Sequence, residues 1–143
     1  MNYANTDTGA FMINYKGQLR IWPDAYKRDI GALQELCHGL AKEAGWWEGV
    51  DATDPNIIAS KLCLVHSEVS EALEGVRKDL IDDHLQHRPM VEVELADTII
   101  RVLDLAGAMG LDIGGALIEK LQYNTQRADH KPENRAAAGG KKI

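Results

Sequence analysis

Two acidic pairs in this chain share one spacing: Glu68-x-x-Glu71 in SEVSEALEG and Glu94-x-x-Asp97 in VELADTIIRVLDLAG. Each interrupts an otherwise apolar stretch. On a helix, residues three apart project from the same face, so each segment offers two carboxylates side by side. If the two helices pack together, four oxygen donors converge, a set that suits a hard divalent cation such as Mg²⁺. The chemistry this suggests is metal-dependent work on phosphates. The plainer reading is a pair of solvated faces held by contacts such as Asp97 with Arg101 at i,i+4. One acidic pair alone would favour that reading. Two such pairs shift the balance towards a metal, because like charges on one face cost stability unless a cation compensates them.

Other residues point the same way. Lys120, Tyr123, Asn124 and Arg127 span roughly 100° of one helix surface, a polar stripe with two cations and no acid. Groups of this kind suit phosphate, although an exposed face of mixed polarity is the ordinary alternative. His38 precedes GLAKEAGWWEG, where Trp46 and Trp47 offer flat apolar surfaces on which a base could stack. One of the two rings can equally fill the core, and His38 is as readily a structural histidine as a base ligand. Lys61 falls on the same flank of its helix as Glu68 and Glu71.

The elements that must position these groups are helical. Ile30, Leu33, Leu36, Cys37 and Leu40 recur at three- and four-residue spacings, which predicts a first helix from Ala25 to about Trp47. Asp54 as N-cap and Pro55 in the first turn open a second, running to about Lys78. Its apolar stripe is Ile58, Leu62, Val65, Val69, Ala72, Leu73 and Val76, predicted to face the core. Glu68 then lies roughly 90° and Glu71 roughly 150° around from that stripe. DLIDDHLQHR reads as a connection or a frayed helix end. Pro89 opens a third helix with the stripe Leu95, Ile99, Val102, Leu105, Ala106 and Met109, and Gly110 ends it. On that helix Glu94 lies roughly 100° from the stripe, with Asp97, Arg101 and Asp104 further round. Asp112 can cap a fourth helix from Ile113 to about Arg127. The expectation is an all-α, four-helix bundle-like protomer in a single domain with its core at about 25–130. An irregular N-terminal arm precedes it, in which FMINY reads equally as a short strand or an extended arm. A mobile polar tail, 131–143, follows.

Length and charge bound the function. At 143 residues one domain can bury a core without staples. A formal charge of −6 argues against a general binder of nucleic-acid polymers, which would carry a basic face. Cys37 and Cys63 have no zinc-like spacing and read as buried thiols of a reducing compartment. No apolar run is long enough for a bilayer, and the N-terminus lacks the pattern of a signal peptide. The expected location is cytoplasmic.

Taken together, these segments resemble the MazG-like nucleotide pyrophosphohydrolases of the all-α NTP pyrophosphatase superfamily. The similarity is greatest to the short, single-domain branch of bacteria and their phages. That family carries E-E-x-x-E followed on another helix by E-x-x-D, matched here by Ser67-Glu68-x-x-Glu71 and Glu94-Leu95-Ala96-Asp97. The resemblance runs through GWWEG, KLCLVHSEVSEALEGVRK, ELADTIIRVLDLAG and EKLQYNTQR. It departs at Ser67, where the family has a further carboxylate. It departs again at the C-terminus, where His130 and the GGKK of residues 139–142 are separated rather than joined.

The resemblance implies a nucleoside triphosphate substrate cut between its α- and β-phosphates to give a monophosphate and pyrophosphate. Glu68, Glu71, Glu94 and Asp97 would hold Mg²⁺, with Mn²⁺ as a substitute, and Glu71 would accept the proton of the attacking water. Lys120 and Arg127 would neutralise the phosphates, Tyr123 and Asn124 would position phosphate or sugar, and Lys61 is a further contact. Trp46 or Trp47 would stack on the base. A homodimer or a dimer of dimers is implied as well. Two other readings compete. A di-iron carboxylate bundle needs two E-x-x-H pairs, and only Glu35-x-x-His38 is present. A non-catalytic helical module that binds nucleotides is the other, and the departure at Ser67 keeps it alive.

Overall fold

The computed structural model describes residues 12–13, 19–20, 23–136 and 138–139. The fold is all-α, with helices α1 (Pro23–Glu43), α2 (Pro55–Lys78), α3 (Met90–Ala108), α4 (Ile113–Gln126) and a short α5 (Pro132–Ala136). A 3₁₀ turn at Ala128–His130 separates the last two. Strands β1 (Met12–Ile13) and β2 (Leu19–Arg20) pair antiparallel, Met12 opposite Arg20 and Ile13 opposite Leu19. The centre of FMINY is therefore strand, and the rest of that segment lies outside the described residues. The described helices include none long and apolar enough to cross a membrane. The chain divides into two compact units, Gly31–Asp112 and the described parts of Met1–Ile30 with Ile113–Ile143.

In the first of these units, local chemistry fixes the helix ends. Asp54 Oδ1 accepts from Asn56 N at 2.8 Å and Pro55 fills the first turn, so α2 starts where the sequence predicts. It stops at Asp79, whose left-handed backbone (φ 53°, ψ 50°) lets Leu80 N donate back to Gly75 O at 3.0 Å. The following connection is a closed loop and not a frayed helix. Asp82 is buried in it and accepts from the backbone N–H groups of His84 and Leu85. Met90 N donates to Leu80 O at 2.9 Å, which returns the chain antiparallel to α2. At this closed end the helices nearly touch, because a Cβ on Gly75 would lie 3.1 Å from Met90 Cβ and from Val91 N. At its other end α3 finishes against Gly110 (φ +65°), with Leu111 N donating to Ala106 O.

Helix α1 ends at Glu43, short of the predicted Trp47. Gly45 (φ +82°) and Gly49 (φ +68°) turn the GWWEG segment out of the helix. α1 lies against α3: Gln34 Nε2 donates to Leu111 O at 2.9 Å, and His38 sits over Gly107.

The inward faces of α2 and α3 keep Ala72, Leu105 and Ala106 of the predicted stripes and differ from them elsewhere. Glu68, Ala72 and Gly75 are the buried residues of α2, and Glu94, Leu103, Leu105 and Ala106 those of α3. Of the predicted core stripes, Leu62, Val69, Leu73 and Val76 are exposed on α2, and so are Leu95, Ile99, Val102 and Met109 on α3. The small side chains of Ala72 and Gly75 let the two backbones approach, which draws their face, with Glu68 on it, into the seam. The bulky members Leu62, Val69, Leu73 and Val76 are turned outward. Cys37 is buried as expected, whereas Cys63 is exposed; both thiols are free.

In the second unit, α4 starts hard against the first turns of α1, since a Cβ on Gly114 would meet Lys27 O at 2.7 Å. The tail is not wholly loose. Asn134 Nδ2 donates to Ala128 O at 2.6 Å, which folds α5 onto the 3₁₀ turn. Residues 137 and 140–143 lie outside the described residues.

Candidate functional site

The α2–α3 seam brings three of the four predicted acids together. Glu68, Glu94 and Asp97 each place a carboxylate oxygen within 4.8 Å of the others. Glu68 and Glu94 are buried and Asp97 is half-buried. Glu71, one turn along α2, is exposed and stands outside this group, though its charge reaches Glu94. The geometry follows from the hairpin: on helices that run antiparallel, Glu68 faces both members of the Glu94-x-x-Asp97 pair.

Burial and crowding make Glu94 and Asp97 resist ionisation. Glu94 is pushed up to about 7 by its loss of solvent, by a hydrogen bond shared with Glu68, and by the charges of Glu71, Glu68 and Asp97. Asp97 is also raised, first by burial and then by Glu68, against a lowering pull from Arg101. Asp82 in the connecting loop adds to the push on Asp97. Among the described residues, Arg101 answers the cluster. Arg101 Nε lies 2.5 Å from Glu68 Oε1, so this arginine pairs across the helices rather than with Asp97 on its own helix. An all-oxygen donor set, partly buried and with excess negative charge, fits a hard divalent cation.

Beside the cluster a groove of about 600 Å³ opens between α1, α2, α3 and the GWW turn. Its apolar walls include Leu33, Leu36, Leu40, Leu64 and Ile100, and its polar groups are Lys61, Asp97, Arg101 and Asp104. Asp97 and Arg101 thus belong to both cluster and groove. The two tryptophans separate in role. Trp47 Nε1 donates to Asp104 Oδ1 at 2.7 Å, and Lys61 Nζ sits 4.3 Å from its ring centroid. Trp46 lines the groove and is 70% exposed. His38 is held too, its Nδ1 2.9 Å from the same Asp104 oxygen and its ring edge-on to Trp47. A carboxylate accepts only, so this nitrogen carries the hydrogen.

The other predicted residues belong to the second unit. Lys120 Nζ lies 4.8 Å from the Tyr123 ring centroid, and both residues are exposed. Asn124 Oδ1 is buried without a hydrogen-bond partner among the described residues. Arg127 is not the open cation that an acid-free stripe predicts. Asp129 grips it through both oxygens, Nε to Oδ1 at 2.9 Å and Nη2 to Oδ2 at 2.5 Å. The stripe ends two residues short of its acid.

Sequence reasoning did not assign Asp104, Arg101 or Asp82 to the site. Asp104 was recoverable, being seven residues from Asp97 and therefore on the same helix face. Asp82 had no such signal, because a loop delivers it. Comparison with protein-family models, with curated proteins and with solved structures finds no match.

Proposed function

We propose that this chain is a Mg²⁺-dependent nucleoside triphosphate pyrophosphohydrolase, cleaving the α–β phosphoanhydride with water to give a monophosphate and pyrophosphate. The observation that carries this reading is the meeting of Glu68, Glu94 and Asp97 beside a groove with an apolar wall. The resemblance of the acidic segments to MazG-like enzymes supplies the reaction class.

In this reading Glu68, Glu94 and Asp97 hold the cation. When bound, it supplies Lewis-acid polarisation of the phosphoryl oxygens. Glu71, exposed and outside the three-carboxylate group, remains free to take the proton of the attacking water. Lys61 and Arg101 offer positive charge at the groove to the phosphates. Trp46 stacks on the base, while Asp104 holds Trp47 and His38 as the wall behind it.

A second copy of the chain belongs to the same proposal. Val69, Leu73 and Val76 each follow an inward residue of α2 by one position, and Leu95 follows Glu94 on α3 in the same way. One step is about 100° of rotation, and on antiparallel helices it leads to the same side of the hairpin. The exposed stripes therefore make one apolar face, with coiled-coil-like spacing, that a homodimer would bury.

The test is pyrophosphate release from a panel of ribo- and deoxynucleoside triphosphates with Mg²⁺, then with EDTA. Glu68→Ala or Asp97→Ala should lower the rate by about 10²-fold or more. Undiminished turnover in both variants, insensitive to EDTA, would remove the site from consideration. Ser67 keeps a second reading alive, nucleotide binding without turnover. Its Oγ donates to Leu64 O at 2.8 Å and brings no further carboxylate to the cluster. Nucleotide binding by calorimetry, with no product formed, would select it.

A further inference from the structure

Arg101 and Glu68 form an unequal pair. The Glu68 side chain is 7% exposed and fixed in the seam between α2 and α3, whereas that of Arg101 is 42% exposed and lines the groove. One partner is anchored; the other is tethered by a long side chain with open space beside it. The oxygen that Arg101 holds, Glu68 Oε1, belongs to the carboxylate that the proposed function gives to the cation. A divalent ion binds carboxylate oxygen at about 2.0–2.6 Å. A guanidinium in contact with the same group would meet it as a like charge at close range, so the two compete.

We propose that Arg101 is a displaceable counter-ion, latched on Glu68 in the cation-free protein and released into the groove as a phosphate clamp when the cation takes Glu68. The inference rests on the cation site proposed above and assigns to Arg101 a positioning and binding role that the acidic motif does not contain. Release costs little packing, because the guanidinium is already at the surface. The groove offers it Asp97 and Asp104 as neighbours and Lys61 as a second cation. The planar fork of arginine suits two phosphate oxygens at once, which an ammonium cannot match. Cation and nucleotide then help each other: the ion frees the clamp, and the anion gives the freed clamp a partner. Such coupling is reciprocal by thermodynamic necessity.

The experiment uses the full chain stripped with EDTA. Mn²⁺ is titrated calorimetrically into the wild type, Arg101→Gln and Arg101→Lys. A triphosphate analogue with an uncleavable α,β-imido bridge is then titrated at saturating Mn²⁺. Loss of the competing charge should make Arg101→Gln bind Mn²⁺ about tenfold more tightly. Loss of the clamp should make it bind the analogue about tenfold more weakly. Opposite signs from one substitution set this role apart from a helix staple, whose removal would weaken both ligands. Arg101→Lys keeps the charge without the fork, so Mn²⁺ affinity should stay near wild type while the analogue weakens. If thermal melting shows that Arg101→Gln is unfolded, the lysine variant decides, and an unchanged analogue affinity there overturns the proposal. Equal or weaker Mn²⁺ binding by folded Arg101→Gln overturns it as well. A wild type that takes up no Mn²⁺ removes the cation site itself, and the role of Arg101 with it.

Discussion

Trp47 donates its indole N–H to Asp104 at 2.7 Å, so α3 holds the ring from behind. Its neighbour Trp46 has the opposite status, 70% exposed at the groove. Two adjacent residues of one type thus have different jobs, one structural and one open to a ligand.

The two substitutions should therefore separate. Trp46→Ala should weaken binding of the α,β-imido analogue by about 1–3 kcal/mol, the range for base stacking, with little change in unfolding free energy. Trp47→Phe deprives a half-buried carboxylate of a donor and should destabilise the fold by about 1–3 kcal/mol. Calorimetry and urea unfolding read the two effects. If Trp46→Ala leaves analogue affinity unchanged, the stacking role fails.

Acidity should stabilise the cation-free protein. The folded-state pKa of Glu94 is raised from an ordinary 4.5 to about 7. A carboxyl raised in this way binds its proton more tightly when folded. Its contribution is complete below about 4.5 and is lost as pH rises through about 7. Asp97 is raised as well and acts in the same direction. In EDTA, Tm should fall from about pH 5 to about pH 8. Saturating Mg²⁺ should oppose that fall, because it binds the ionised carboxylates and displaces the proton. Glu94→Gln should flatten the EDTA profile. A profile identical in wild type and variant would show that Glu94 does not titrate in this window.

Gly107 is the contact point of α1 on α3. A Cβ there would lie 2.6 Å from His38 Cβ and 2.9 Å from His38 Cγ. Gly107→Ala should cost about 1–3 kcal/mol by overpacking and shift His38 away from Asp104. Adding His38→Gly, which removes the Cβ that the new methyl meets, should cost less than the sum of the two single losses, a coupling that a double-mutant cycle of unfolding free energies measures. Additive losses would place the strain elsewhere.

Much of the hairpin was legible. Asp54 with Pro55 and the glycine at 110 mark helix ends through their own backbone chemistry, so those bounds needed no tertiary knowledge. The inward face was not legible in the same way. Apolar periodicity identifies a surface that avoids water, but not the neighbour that covers it. Ala72 of the predicted stripe is buried, and with Gly75 it was a better signal than the bulky members, because small residues allow close approach and carry Glu68 inward with them. The neutralisation of Arg127 was missed for a related reason. Asp129 lies past the end of α4, where a helical wheel no longer places side chains, and the turn after the helix brings it back.

The outward stripes give a test of assembly. Leu73→Glu with Ile99→Glu places charge on the two helices of the exposed apolar face. If that face is buried between copies, sedimentation should show the wild type as a dimer or larger and the double variant as a monomer. Circular dichroism should remain helical. A wild type that sediments as a monomer would leave the stripes without this explanation.

The near-contact of Gly75 with Met90 acts as the zero mark of a ruler. Glu68 lies seven residues before Gly75 and Asp97 seven after Met90, about two helical turns on either arm. Equal arm lengths are what bring the acids level. Extra residues in the loop between Asp79 and Pro89 would disturb the bonds of the buried Asp82 but leave both arms intact. A single residue inserted at 69–74 or 91–96 would swing an acid about 100° out of the seam. The level of the acids is thus set by the chain length of the two arms and not by that of the loop that joins them.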